Sequence, residues 1–189
     1  LHAGGKFGTA GSGYEASGGL HGVGVSCVNA LSEVLIAEIH REGHLWSQEY
    51  SKGIPKHKVK KVRQLKKNEK QTGTKITWKA DKTIFKNGIK LNENTILARL
   101  QEMAFLNNGL AISFQNKITG RSETFKYNGG LTDYLRHLTS SKDCYPSDPI
   151  FGEDSTTLKE RVGKCKVQIA LNYAKDEDDE IILGFTNNI

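Results

Sequence analysis

The sequence predicts a mixed α/β fold, on three observations. A glycine loop, Gly18-Gly19-Leu20-His21-Gly22-Val23-Gly24, runs into a stretch with helical spacing, where Val25, Val28 and Leu31 share one face. Several stretches rich in β-branched residues follow, broken by Gly and Pro. Two more stretches, after Asn92 and Gly130, carry apolar residues at helical spacing. At 37% hydrophobic and 25% charged, the 189 residues have an ordinary globular composition. That length suits one domain plus part of another.

In chain order, residues 1 to 17 are rich in glycine and poor in large apolar groups, as a mobile lid requires. After the first helix, Val34 to Arg41 reads as a strand, Glu42-Gly43 as a turn and His44 to Tyr50 as the returning strand. Gly53-Ile54-Pro55 breaks the pairing. The lysine-rich stretch beyond alternates around Val59 and Val62, which suits a solvated edge strand. Thr74 to Trp78 is another strand, entered through Gly73. Asn92 to Leu106 is the clearest helix, with Ile96, Leu97, Leu100, Met103 and Ala104 in one stripe and Gly109 just past its end. Ala111 to Asn116 and Ser122 to Tyr127 form strands around Thr119-Gly120. Asn128-Gly129-Gly130 then begins a helix with Leu131, Tyr134, Leu135 and Leu138 on one face. Residues 140 to 163, with Pro146 and Pro149, are expected to be irregular. Cys165 to Tyr173 alternates as a strand, and Ile181 to Phe185 is expected to return as another.

Charge and cysteine usage exclude several classes. The net charge of +6 is local: the segment from Lys56 to Lys70 carries eight Lys and Arg against Glu69, and an acidic run spans Asp176 to Glu180. The basic pI is therefore no fold-wide nucleic-acid signature. Cys27, Cys144 and Cys165 have neither disulfide-framework nor zinc spacing, and read as reduced thiols. No apolar stretch approaches the ~20 residues of a membrane span, so no membrane partner is expected. The chain starts at Leu1 and stops at Ile189, and both ends read as cut from a longer protein.

The chemistry lies in the glycine loop. The first N–H groups of a helix lack internal partners and carry the positive end of its dipole. Glycines let a phosphate chain approach that backbone closely. A Walker A loop ends Gly-Lys-Ser/Thr, but this one ends Gly-Val-Ser. A dinucleotide fingerprint follows a strand, yet Gly4 to Ser17 read as loop.

A third phosphate loop is entered from a lid, that of the GHKL ATPase superfamily. Leu1-His2-Ala3-Gly4-Gly5-Lys6-Phe7, then Ser17 to Ser26, then Val28-Asn29-Ala30-Leu31-Ser32 resemble that lid and loop as they occur in the B subunits of bacterial DNA gyrase. Glu69 to Thr74, Glu102 to Gly109, Tyr127 to Gly130 and Phe185 to Ile189 resemble further segments of the same subunits, in the same order. The resemblance implies an α+β sandwich ATPase domain of GHKL type over residues 1–128. Residues 129–189 would be the start of a transducer domain, like domain 2 of ribosomal protein S5.

The resemblance also implies roles. Gly22, Val23 and Gly24 would give backbone N–H groups to the phosphates of ATP, with Gly19, Leu20 and His21 shaping the approach. Gly5 and Lys6 would close over the nucleotide, the Lys6 ammonium meeting phosphate charge, and Tyr14 would reach the adenine. Thr74 would help bond the adenine edge, and Ile76, two residues along the strand, would wall the same pocket. The activating glutamate and the asparagine that holds Mg²⁺ would lie upstream of Leu1, and a transducer lysine beyond Ile189. No catalytic or metal-binding residue is thus assigned within the chain. The implied activity is that of a type IIA topoisomerase in the cytoplasm, in which ATP closes two B subunits on DNA and the A subunit completes an A2B2 assembly. The near alternative is the B subunit of topoisomerase IV. An alternative of another class is a DNA-binding module built on residues 56–70, whose binding would be salt-dependent.

Overall fold

The computed structural model describes residues 22–157, 164–175 and 178–187. They fall into two compact units that part between Lys90 and Leu91.

The first unit opens with helix α1 (Gly24–Ala30). It stops where Ser32 turns its hydroxyl back onto the Val28 carbonyl at 2.6 Å, a side-chain bond that competes with further helix. Strands β1 (Ser32–Arg41) and β2 (His44–Ser51) follow as an antiparallel hairpin. Its turn residues, Glu42 and Gly43, have φ of 53° and 70°, the left-handed pair whose twist matches that of the flanking strands. Strands β3 (Ile54–Pro55) and β4 (Lys60–Gln64) share the outer edge of β2, β3 at Tyr50 and Ser51, β4 from His44 to Ser47. Strand β5 (Gly73–Ala80) pairs with the other side of β1.

Register sorts the side chains of this sheet. Leu35, Ala37 and Ile39 share a face with Tyr50, Gln48 and Trp46 of β2, and with Trp78, Ile76 and Thr74 of β5. The opposite face mixes Ile36 and Leu45 with polar groups, Glu38 and Lys75 pairing there at 2.8 Å. Burial concentrates where α1, β1 and β5 meet. Asp81 is 3% exposed there. It accepts from the Thr83 N–H and hydroxyl at 2.9 and 2.8 Å, and lies 3.0 Å from the Lys52 ammonium. Its own N–H reaches the Leu31 carbonyl at 2.9 Å, and the Lys52 N–H reaches that of Ser32.

The second unit is built on helix α2 (Glu93–Leu106), whose N-cap Asn92 accepts from the Thr95 N–H at 3.1 Å, as expected of that residue type. Hairpin β6 (Ile112–Gln115) and β7 (Ser122–Phe125) and helix α3 (Leu131–Leu138) follow. Leu97, Ala104 and Phe125 form the core, flanked by Leu100, Ile112, Phe114 and Tyr127. Phe105 stacks on Tyr127 with ring centroids 3.6 Å apart and on Tyr134 at 5.1 Å. Gly130 precedes α3 at φ 58°, and a Cβ there would stand 2.6 Å from the Asn108 amide oxygen.

Three expectations are corrected. Residues 144–157 are not irregular. They form strand β8 (Cys144–Thr157), paired with β9 (Lys164–Ala174). Both prolines fall in the register shift between Tyr145 and Ile150, so no ladder bond is asked of them, and regular pairing resumes from Ile150 to Thr157. Residues 181–185 do not return as a strand; β9 takes β8 as its partner, and Ile181, Ile182 and Leu183 are exposed. The apolar face of α1 is not its buried face: Val25, Val28 and Leu31 are well exposed, and Asn29 is buried instead. The expected domain boundary, 128/129, falls inside the second unit, at the entry to α3. Among the described residues no helix is long and apolar enough to cross a membrane.

Candidate functional site

Two groups of expected site residues lie among the described residues. Gly22, Val23 and Gly24 form the entry to α1. Gly22 has φ 63°, a left-handed conformation that disfavours any Cβ, and it turns the chain into the helix. Val23, in αR conformation, is the N-cap residue, and its carbonyl takes the Cys27 N–H at 2.9 Å. A Cβ on Gly24 would meet nothing within 4 Å, so space opens in front of this backbone. Among the described residues no side-chain cap is made at Val23, and no acidic residue stands in the first turn. The end of the dipole that favours anions is therefore not neutralised from within α1.

Thr74 and Ile76 lie on β5, on the half-apolar sheet face. Thr74 is opposite Ile39, and Ile76 opposite Ala37. Ile39, Ile76 and Trp78 remain 39%, 41% and 48% exposed. Such an apolar wall, two isoleucines and an indole with one hydroxyl among them, suits a planar heterocycle. The loop and the wall belong to one unit because α1 leads straight into β1 and β1 pairs with β5. They do not come from one point of the sheet: the end of α1 is tied to Ala80 and Asp81, whereas Thr74 lies opposite Ile39, far along β1. Gly5, Lys6, Tyr14, Gly19, Leu20 and His21 lie outside the described residues.

Sequence reasoning does not single out Asn29 or Trp78. The Asn29 amide oxygen is buried with no hydrogen-bond partner. An amide interrupting the apolar spacing of a short helix is the available signal. Trp78 continues the Thr74, Ile76 alternation by one step. Among the described residues no three His, Cys, Asp or Glu stand close enough to hold a metal ion. Thr83 bonds and the Lys52 ammonium hold Asp81 below its ordinary range, and the Arg63 fork draws Glu69 down to about 2.

No family model matches the sequence. The whole chain is 40% identical to part of the DNA gyrase B protein from Clostridium acetobutylicum, spanning 28% of that protein. It is equally 40% identical to part of the DNA topoisomerase 4 B protein from Staphylococcus epidermidis, spanning 27%. Among solved structures, the 43K ATPase domain of Thermus thermophilus gyrase B, in complex with an aminocoumarin, matches 71% of this chain and 36% of its own. The TM-score is 0.65 at 33% identity. The topoisomerase IV ATP-binding domain of Francisella tularensis matches 76% of this chain and 38% of its own, with a TM-score of 0.60 at 32% identity. The expected α/β class, with its likeness to a GHKL-type ATPase domain, is borne out.

Proposed function

We propose, since this chain belongs to the family of DNA gyrase and topoisomerase IV B subunits, that it is part of the ATP-binding and hydrolysing region of a bacterial type IIA topoisomerase. The reading favoured is gyrase B. ATP binding would close two B subunits on a DNA segment, and hydrolysis would reset them, driving strand passage and negative supercoiling in the cytoplasm. The A subunit would complete an A2B2 assembly. Residues 1–128 would belong to the ATPase domain and 129–189 to the start of the transducer.

The observation that carries this reading is the open, uncapped glycine entry to α1, with Gly22 left-handed. Backbone N–H groups of Gly22, Val23 and Gly24 would hold phosphate oxygens, and Lys6 with Gly5 would cover them. Leu20 and His21, after Gly19, would shape the approach. The Thr74 hydroxyl and the Ile76 side chain would receive the adenine, with Tyr14 reaching it from the lid. Mg²⁺ would arrive with the triphosphate and neutralise its charge. The described residues do not form a site that could hold it alone.

The test is ATP-analogue binding by the intact protein. Gly22→Val puts a branched side chain at positive φ, and Gly24→Val fills the open space before the backbone. Each should weaken binding about a hundredfold or more, the loss of two bonds to charged oxygens at roughly 1.5 kcal/mol each. Near-normal affinity in a folded Gly24→Val protein defeats the phosphate-loop assignment. The equal identity to both kinds of relative makes a topoisomerase IV reading the alternative. Supercoiling by the assembled enzyme supports gyrase; decatenation without supercoiling supports the other.

A further inference from the structure

The lysine-rich segment of the first unit lies outside the proposed nucleotide site, and its construction calls for a separate account. It holds Lys56, Lys58, Lys60, Lys61, Arg63, Lys66, Lys67 and Lys70. Two of these cations are neutralised. Lys56 pairs with Glu49, and Arg63 forks onto both Glu69 oxygens at 2.7 and 2.6 Å. Lys61 stands 5.2 Å over the Trp46 ring. Lys58, Lys60, Lys66, Lys67 and Lys70 are exposed and form no ion pair among the described residues, although the Glu49 carboxylate feels the Lys60 charge.

The segment is also ordered, not a solvated tail. β4 pairs with β2, Leu65 is buried, and its N–H reaches the Gly43 carbonyl at 2.9 Å. Beyond it, Glu69 closes a turn: its carboxylate accepts from the Lys66 N–H at 2.7 Å, while the Gln71 amide donates to the Lys66 and Glu69 carbonyls. The His40 ring meets the Lys70 carbonyl at 2.8 Å. Lys66, Lys67 and Lys70 therefore project from a backbone already fixed, so less freedom is lost when they meet a partner.

One or two lysines suffice to protect an edge strand from pairing. Here unpaired cations continue past the strand and into the turn. Strand β4 alone is about 17 Å long, the axial run of about five phosphates on one DNA strand. Protein interfaces are depleted in lysine and centre on aromatic anchors, whereas the Trp46 ring beside β4 lies under Lys61. We propose that β4 and the turn after it, Lys58 to Lys70, contact the phosphate backbone of double-stranded DNA without reading its sequence. The choice of DNA as the polyanion rests on the topoisomerase reading above.

The experiment measures binding of a short labelled duplex to the intact protein across a range of salt, for wild type and for K60Q/K66Q/K67Q. Loss of three phosphate contacts should flatten the slope of log K against log salt by about 2.7. The loss should be the same for unrelated sequences, with melting temperature and ATP-analogue affinity unchanged. An unchanged slope overturns the proposal, as does a loss equal at every salt concentration. Tighter, lysine-dependent binding of polyglutamate than of the duplex assigns the surface to an acidic protein and also overturns it. Failure of wild type to bind the ATP analogue defeats the nucleotide reading alone; the lysine-dependent slope tests the DNA contact separately.

Discussion

The two units solve burial differently. In the second, Phe105 is 2% exposed and stacked between Tyr127 and Tyr134, and Leu97, Ala104 and Phe125 pack nearby. Aromatic and aliphatic groups close on one another. In the first, Asn29, Ser32 and Asp81 are among the most buried residues, while Ile39, Ile76 and Trp78 stay half exposed on the sheet. Polar groups hold the junction of α1, β1 and β5, and the apolar face is left open. Around α2 the second unit uses its apolar surface for its own stability, while its β8–β9 pair and residues 181–183 leave theirs exposed. The first unit leaves the sheet face of Ile39, Ile76 and Trp78 open, and the proposed adenine wall is part of it.

The largest effect expected from this contrast is in the second unit. Phe105→Ala should cost about 3–5 kcal/mol, because the ring is fully enclosed and its stacked neighbours cannot all collapse into the gap. Urea denaturation reads this directly. A cost near 1 kcal/mol would mean that the aromatic cluster adapts, and the contrast between the units would fail.

A smaller effect, on binding and not stability, is expected on the open face. Thr74→Val removes one hydroxyl from an exposed strand position and leaves the fold intact. It should weaken ATP binding about three- to tenfold, the worth of one neutral hydrogen bond of roughly 0.5–1.5 kcal/mol. Binding of inorganic tripolyphosphate, which has no adenine, should not change. Equal losses for both ligands would place Thr74 in the phosphate site or show a general distortion.

The contrast also explains what the sequence could say. Local chemistry was legible: the helix from Asn92 to Leu106, the Glu42-Gly43 turn, the alternation of β1, β2 and β5, and the glycine at position 22 that the left-handed φ requires. Decisions made by distant pairing were not. Residues 144–157 look irregular because of Pro146 and Pro149, yet β9 supplies a partner that local signals cannot announce. Residues 181–185 have strand composition, and nothing in composition reports that β9 is already paired. Phe105, beside the expected α2 stripe, proved its most enclosed aromatic because Tyr127 and Tyr134 approach from other elements. For the site, Gly22, Val23, Gly24, Thr74 and Ile76 occupy a loop and a strand as expected. The buried Asn29 emerged only from packing.

The smallest expected effect tests the polar junction of the first unit through pH. Asp81 accepts two bonds from Thr83 and faces Lys52, and together they hold its carboxyl below the ordinary value of 3.8. Its folded form binds a proton less readily than its unfolded form. In the acid range the unfolded state therefore takes up more protons, and stability rises with pH. The contribution is complete above the ordinary aspartate value and is lost as pH falls through the depressed one. Asp81→Asn keeps the shape of the side chain but cannot titrate. Its urea midpoint should lie below that of wild type at neutral pH, and the gap should close as pH falls from about 4. The effect is modest because Lys52 is half exposed and solvent screens the pair. Parallel midpoint curves down to the acid limit would show that the Asp81 charge does not hold the junction, and that packing around Ser32 and Ala80 does.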